Sequence, residues 1–218
     1  MKKLIIFIVL VLAVILIVRY TKKSAVVAPE TTTPSTQTSD STNSNNTSAT
    51  KPLTTGNVYS SAGFSFVPVA DYKVETSSSA ATWRSNTQVP GTLLALVTIP
   101  QSFQPQTNFG DARFTIGMSS NAQAIQECDT ESNGERAKGT VIINGVTFTR
   151  FTLTEAAAGN YYDTTGYRTL RNNTCYAVEY TIHSTNLRNY DPKMGIKEFN
   201  TQMVTAALEN MAQSFKFK

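Results

Sequence analysis

The stretch GTVIINGVTFTRFTLTEA, Gly139 to Ala156, decides the fold. Two β-branched runs flank Asn144-Gly145, a dipeptide that readily takes the left-handed backbone a two-residue hairpin turn needs. Downstream, Tyr161 to Arg171 and Thr174 to Ser184 read as a second antiparallel pair, turning at Asn172-Asn173. In the last of these strands Tyr176, Val178, Tyr180 and Ile182 share one face, because successive strand side chains alternate sides. His183 shares the opposite face with Glu179.

Working outward, GFSFVPV, Gly63 to Val69, alternates and reads as a short strand ended by Pro68. GTLLALVTIP, Gly91 to Pro100, reads as a central strand. Ala112 to Ser120 is a third, and Ala122 to Asp129 suits a short helix. At the end of the chain Asp191 is placed to cap a helix with Pro192 at its first position. Ile196, Phe199, Met203, Ala207, Met211 and Phe215 recur at three- or four-residue spacing, a stripe suited to packing on a sheet. The expected class is α+β, a mostly antiparallel sheet packed with helices.

The first part of the chain differs from the rest. Leu4 to Val18 is fifteen uninterrupted apolar residues, with Lys2 and Lys3 before it and Arg19, Lys22 and Lys23 after it. Such a segment suits lipid or removal as a signal peptide. Its reach of about 22 Å falls short of a hydrocarbon core of about 30 Å, a gap that Lys3, Arg19 and Tyr20 would narrow at the interface. Val26-Val27-Ala28 offers a cleavage site with Pro29 as an unfavourable neighbour, so anchor and cleaved signal both remain open. Residues 29–57 follow, fifteen of them Ser or Thr, with Leu53 as the one large apolar residue. Burial cannot offset the ordering entropy of such a segment. The expected organisation is an N-terminal anchor or uncleaved signal at 1–23, a flexible linker at 24–57 and one globular domain at 58–218. The expected location is the cell membrane, single-pass through residues 4–18, with the domain extracytoplasmic.

The net charge of +4 belongs to the N-terminus. Residues 1–57 carry six basic and two acidic side chains, and the remainder carries thirteen of each. No basic run suits a phosphate backbone, so no nucleic-acid partner is expected. Arg168 and Arg171, with Tyr161, Tyr162 and Tyr167, come nearest to a patch.

The two cysteines, Cys128 and Cys175, invite a disulfide in a chain routed outside the cytosol. Two buried free thiols are the alternative. The loop ECDTESNGE places Glu127, Asp129, Glu131 and Glu135 together, but at no EF-hand spacing. His183 is the single histidine. It stands about 13 Å along the strand from Glu179, too far to pair with it. No GxSxG elbow, phosphate loop, dinucleotide fingerprint or metal-hydrolase helix motif occurs. No catalytic, cofactor-binding or metal residue is therefore assigned.

The folding part resembles the Mog1/PsbP-like fold group. GFSFVPVADYKV, Gly63 to Val74, is similar to that group's opening strand, with Tyr72 where the group often has Trp. The final helix running into SFKF, Ser214 to Phe217, resembles its ending. The resemblance implies an α/β/α sandwich over about residues 58–218. It carries no functional residue set over. The function expected from these readings is a membrane-tethered extracytoplasmic binding or accessory domain without catalytic activity, with a possible envelope protein partner. One alternative is an envelope hydrolase using Glu179 with Glu155 or Asp163. Another is a pilin-like or assembly subunit.

Overall fold

Seven strands of the chain assemble into one antiparallel sheet in the computed structural model, which describes residues 55–77 and 81–218. The strands are β1 (Tyr59–Ser60), β2 (Phe64–Phe66), β3 (Val74–Glu75), β4 (Thr92–Pro100), β5 (Phe109–Ser119), β6 (Arg136–Ile143), β7 (Val146–Ala157), β8 (Asn160–Arg171), β9 (Thr174–Thr185) and β10 (Lys216–Phe217). The helices are α1 (Ala122–Gln126) and α2 (Thr201–Ser214). The large sheet runs β3-β4-β5-β9-β8-β7-β6, and β1-β2-β10 form a small one.

Local chemistry builds the long meander. Asn144 and Gly145 turn β6 into β7 with φ of 46° and 82°, the double left-handed geometry that keeps the flanking strands twisting together. Asn172 and Asn173 do the same between β8 and β9, at 49° and 57°. β5 begins at Phe109, three residues ahead of the expected start at Ala112, and shifts register between Phe109 and Asp111. That early start brings Asp111 into the ladder.

The core lies on one face. Phe114 and Ile116 from β5, Val178, Tyr180 and Ile182 from β9, and Phe148 from β7 meet Val204, Ala207, Leu208, Met211 and Ala212 of α2. Each Val, Leu, Ile, Phe and Met side chain among them contributes roughly 1.5–3 kcal/mol on leaving water. The helix starts later than the sequence suggests. Asp191 accepts from Lys193 N–H, but this closes only a short 3-10 turn that ends at Gly195 in a left-handed conformation. The backbone then pairs Lys197 with Thr107, and Asn200 caps α2 through Met203 N–H at 2.9 Å. Ile196 and Phe199 therefore stand outside the helix.

The other face carries no comparable layer. Its cover is the five-residue α1 with the loop around Trp83, forming a small cluster of Trp83, Val89, Ala124, Ala177, Cys128 and Cys175. The two cysteines are bonded, with Cα atoms 5.6 Å apart. The expected α/β/α sandwich is thus corrected to a large antiparallel sheet with one substantial helix on one side. The reason is in the alternation. On the second face β5 and β9 present Asp111, Arg113, Thr115, Thr181 and His183, which offer no apolar surface for a helix to bury.

The apolar run at 4–18 and nearly all of the linker lie outside the described residues. Thr55 and Gly56, at its end, pair with Val69 and Pro68. Among the described residues no helix is long and apolar enough to cross a membrane. The transmembrane helix, the bilayer as partner and the single-pass extracytoplasmic location accordingly find no support in the fold. The pilin-like reading turns on the same N-terminal segment, which lies outside the described residues.

Candidate functional site

The face opposite α2 carries a polar cleft built from ladder register. Directly opposed residues on neighbouring strands sit side by side, and same-face rows follow every second residue, about 7 Å apart. Asp111, His183 and Tyr162 form one row across β5, β9 and β8. Arg113, Thr181 and Thr164 form the next, and Thr115, Glu179 and Gly166 the third. Ala81, Thr82 and Ser85 of the Trp83 loop make a wall above them. The enclosed space is about 520 Å³.

His183 is held from three sides. Its Nε2 lies 2.9 Å from Asn160 Oδ1, which accepts its proton. Asp111 Oδ2 stands 3.6 Å from Nδ1. The imidazole stacks on the Tyr162 ring with centroids 4.7 Å apart and planes 9° from parallel. Gly110 allows this, because a Cβ there would collide with the imidazole. Asp111 also faces Arg113, Oδ1 to Nε at 3.7 Å. The hydroxyls of Thr164 and Thr181 hydrogen-bond at 2.8 Å.

A buried charge network lies along the same face. Glu179 is 2 % exposed and accepts from Ser85 N–H at 2.6 Å, which ties the loop to the sheet. Burial raises its carboxyl above the usual carboxylate range, against the Ser85 hydrogen bond and the charge of Arg168. Arg168 is fully buried and donates from Nη2 to Glu135 Oε2 at 2.6 Å. Burial pulls Arg168 down, and Glu135 opposes this. Burial would also raise Glu135, but hydrogen bonds at Ser132 and the Arg168 charge outweigh it and hold that carboxyl low. The guanidinium planes of Arg168 and Arg84 lie over Phe151 and Trp83, at 3.5 and 5.3 Å.

The carboxylate pairs of the hydrolase reading do not form. Asp163 opposes Ile182 on the core face, and Glu179 opposes Gly166 on the other. Glu155 shares a face with Glu179 but sits beside Tyr162, four residues along β8 from Gly166 and so about 13 Å away. The acidic loop disperses too. Glu127 holds Gln123, Glu131 accepts from Ala137 N–H, and Glu135 is taken by Arg168. No group of three or more potential metal ligands gathers among the described residues. Alternation also splits the basic and aromatic patch. Arg168 is buried on the cleft side, while Tyr167 belongs to the helix-side core and Arg171 stacks on Phe217.

Asp111 and Arg113 are cleft residues that the sequence reading missed, and it placed Tyr162 in the basic patch instead. Their signal was polar alternation: Asp111, Arg113 and Thr115 on one strand, Thr181 and His183 on another. A second cleft, about 560 Å³, lies on the helix side between Tyr180, Asp163, Arg150 and Phe199. There the Tyr180 hydroxyl is already committed to Glu209 at 3.0 Å.

No protein-family model matches the chain, and no curated protein matches it. The resemblance to the Mog1/PsbP-like group, which rested on a short strand motif and a helix end, therefore does not hold.

Proposed function

We propose that this domain binds a small polar molecule in the cleft over Asp111, His183 and Tyr162. The observation that carries the reading is the convergence of those three side chains, with Arg113 and the Thr115 and Thr181 hydroxyls, on one space of about 520 Å³. A concave space of this size lies within the range that holds small ligands. His183 is fixed in place for a binding role: its Nε2 hydrogen-bonds with Asn160, its Nδ1 stands 3.6 Å from Asp111, and its ring is stacked on Tyr162.

The single histidine supplies the test. In the untagged full chain, the only imidazole carbon-bound proton signals belong to His183. A screen of small polar molecules is expected to shift them saturably. Arg113→Met is expected to weaken that binding about tenfold, the loss of one charged hydrogen bond. The proposal fails if no polar molecule moves these signals, or if Arg113→Met binds as the parent does.

A further inference from the structure

We infer that the protein holds a small monovalent anion of the chloride type on the guanidinium groups of Arg84 and Arg168, beneath the loops that cover the sheet opposite α2. The site is separate from the polar cleft, which neither arginine lines, and does not depend on it. Position comes first. Arg168 rises from β8 on the face opposite α2, and its guanidinium lies over Phe151. Glu179 leans over Gly166, where a Cβ would come within 2.9 Å of its Oε1. Gly166 is two residues from Arg168 and on the same face. The Glu179 carboxylate also accepts from Ser85 N–H at 2.6 Å, which sets Arg84 over the same patch. Asn86 donates its side-chain amide to the Asn133 carbonyl, so the loop of Arg84 and the loop of Glu135 meet above it. The charge of Arg84 acts on Arg168 across this patch.

The balance of donors and acceptors comes second. Arg84 is 2 % exposed and Arg168 is 0 % exposed. Nε and Nη1 of both are buried and meet no acceptor among the described residues. The carboxylates beside them are engaged. Glu135 Oε2 takes Arg168 Nη2 and Ser132 N–H, and Glu179 Oε2 takes Ser85 N–H. A guanidinium only donates, so its ligand must accept. A water molecule accepts too, but it brings two protons that need acceptors of their own. An anion brings none. Charge comes third. Arg84, Arg168, Glu135 and Glu179 are the buried charged side chains among the described residues. Burial drives Glu179 toward its uncharged form, which leaves two cations against Glu135. One further negative charge restores neutrality where an uncompensated buried charge costs free energy. Because both arginines are closed off from solvent, a compact ion suits the site better than a large oxyanion.

The test is urea unfolding of the full chain at fixed ionic strength, with chloride exchanged stepwise for gluconate, an anion too large for a closed site. Release of one chloride on unfolding makes the folding constant rise about tenfold for each tenfold of chloride above the dissociation constant. Arg84→Met is expected to abolish that dependence. A folding constant indifferent to the exchange overturns the inference. So does a chloride dependence that survives in Arg84→Met, because the ion then sits elsewhere. A second measurement serves even where that variant fails to fold. Crystals of the parent chain grown in bromide are expected to show an anomalous peak within hydrogen-bonding reach of Arg84 and Arg168. Electron density for water there, with no anomalous peak, overturns the inference.

Discussion

Glu135 and Glu179 share one chemistry and are driven in opposite directions by their neighbours. Glu135 gains Arg168 and the Ser132 hydrogen bonds, so its carboxyl is held low despite burial. Glu179 is dominated by burial and is pushed up. The signs then follow. A carboxyl lowered by folding stabilises above its unfolded pKa, and that contribution is lost as pH falls through the folded value. A carboxyl raised by folding stabilises below its unfolded pKa, and that contribution is lost as pH rises through the folded value. Glu135→Gln should therefore flatten the acid side of the stability profile and cost about 3 kcal/mol at neutral pH, because it leaves Arg168 buried beside an uncharged partner. Glu179→Gln should flatten the side above the carboxylate range, with its amide oxygen still able to accept from Ser85. Urea midpoints measured across pH would show both. Profiles parallel to the parent in both variants would contradict the assignment. None of this was legible at the residue scale, since the loop reading grouped Glu135 with Glu127, Asp129 and Glu131.

The elements were legible where short-range chemistry sets them. The Asn144-Gly145 turn, the β8–β9 pair and the burial of Ala207 and Met211 in the final helix follow from local backbone preference and periodicity. Boundaries that depend on distant partners were not. The stripe from Ile196 to Phe215 reads as one helix, yet Gly195 turns left-handed and Lys197 is drawn into pairing with Thr107. Two substitutions separate the expected cap from the observed one. Asn200→Ala should cost about 1 kcal/mol, because Met203 N–H loses its acceptor. Asp191→Ala, at an exposed 3-10 turn, should stay within about 0.5 kcal/mol. Thermal unfolding of the two variants side by side gives the comparison; equal costs would return the helix start to Asp191.

At the scale of the whole molecule, the Cys128–Cys175 bond fastens α1 to β9 on the face without α2, where Trp83 is buried at 3 % exposure. Gly117 and Gly91 make room for that indole, since a Cβ at either would strike it or its backbone. Replacing both cysteines by Ser should cost about 2–4 kcal/mol. Trp83, the single tryptophan, should then shift its emission to longer wavelength at urea concentrations below the main transition. An unmoved Trp83 would show that the loop packs without the bond. Because Thr82 and Ser85 flank Trp83 on this loop, the same change should loosen the cleft wall. By itself the sequence determined the antiparallel α+β class, the hairpin turns and which strand positions share a face, since these rest on backbone preference and a two-residue period. Only the tertiary structure decided that one face takes a helix and the other stays polar. It alone set Asp111 beside His183 and Tyr162, and it sent Glu179 and Asp163 to opposite sides. The physical reason is register: the pairing of β5 with β9 is selected by burial of the whole core face, and no local segment carries that information.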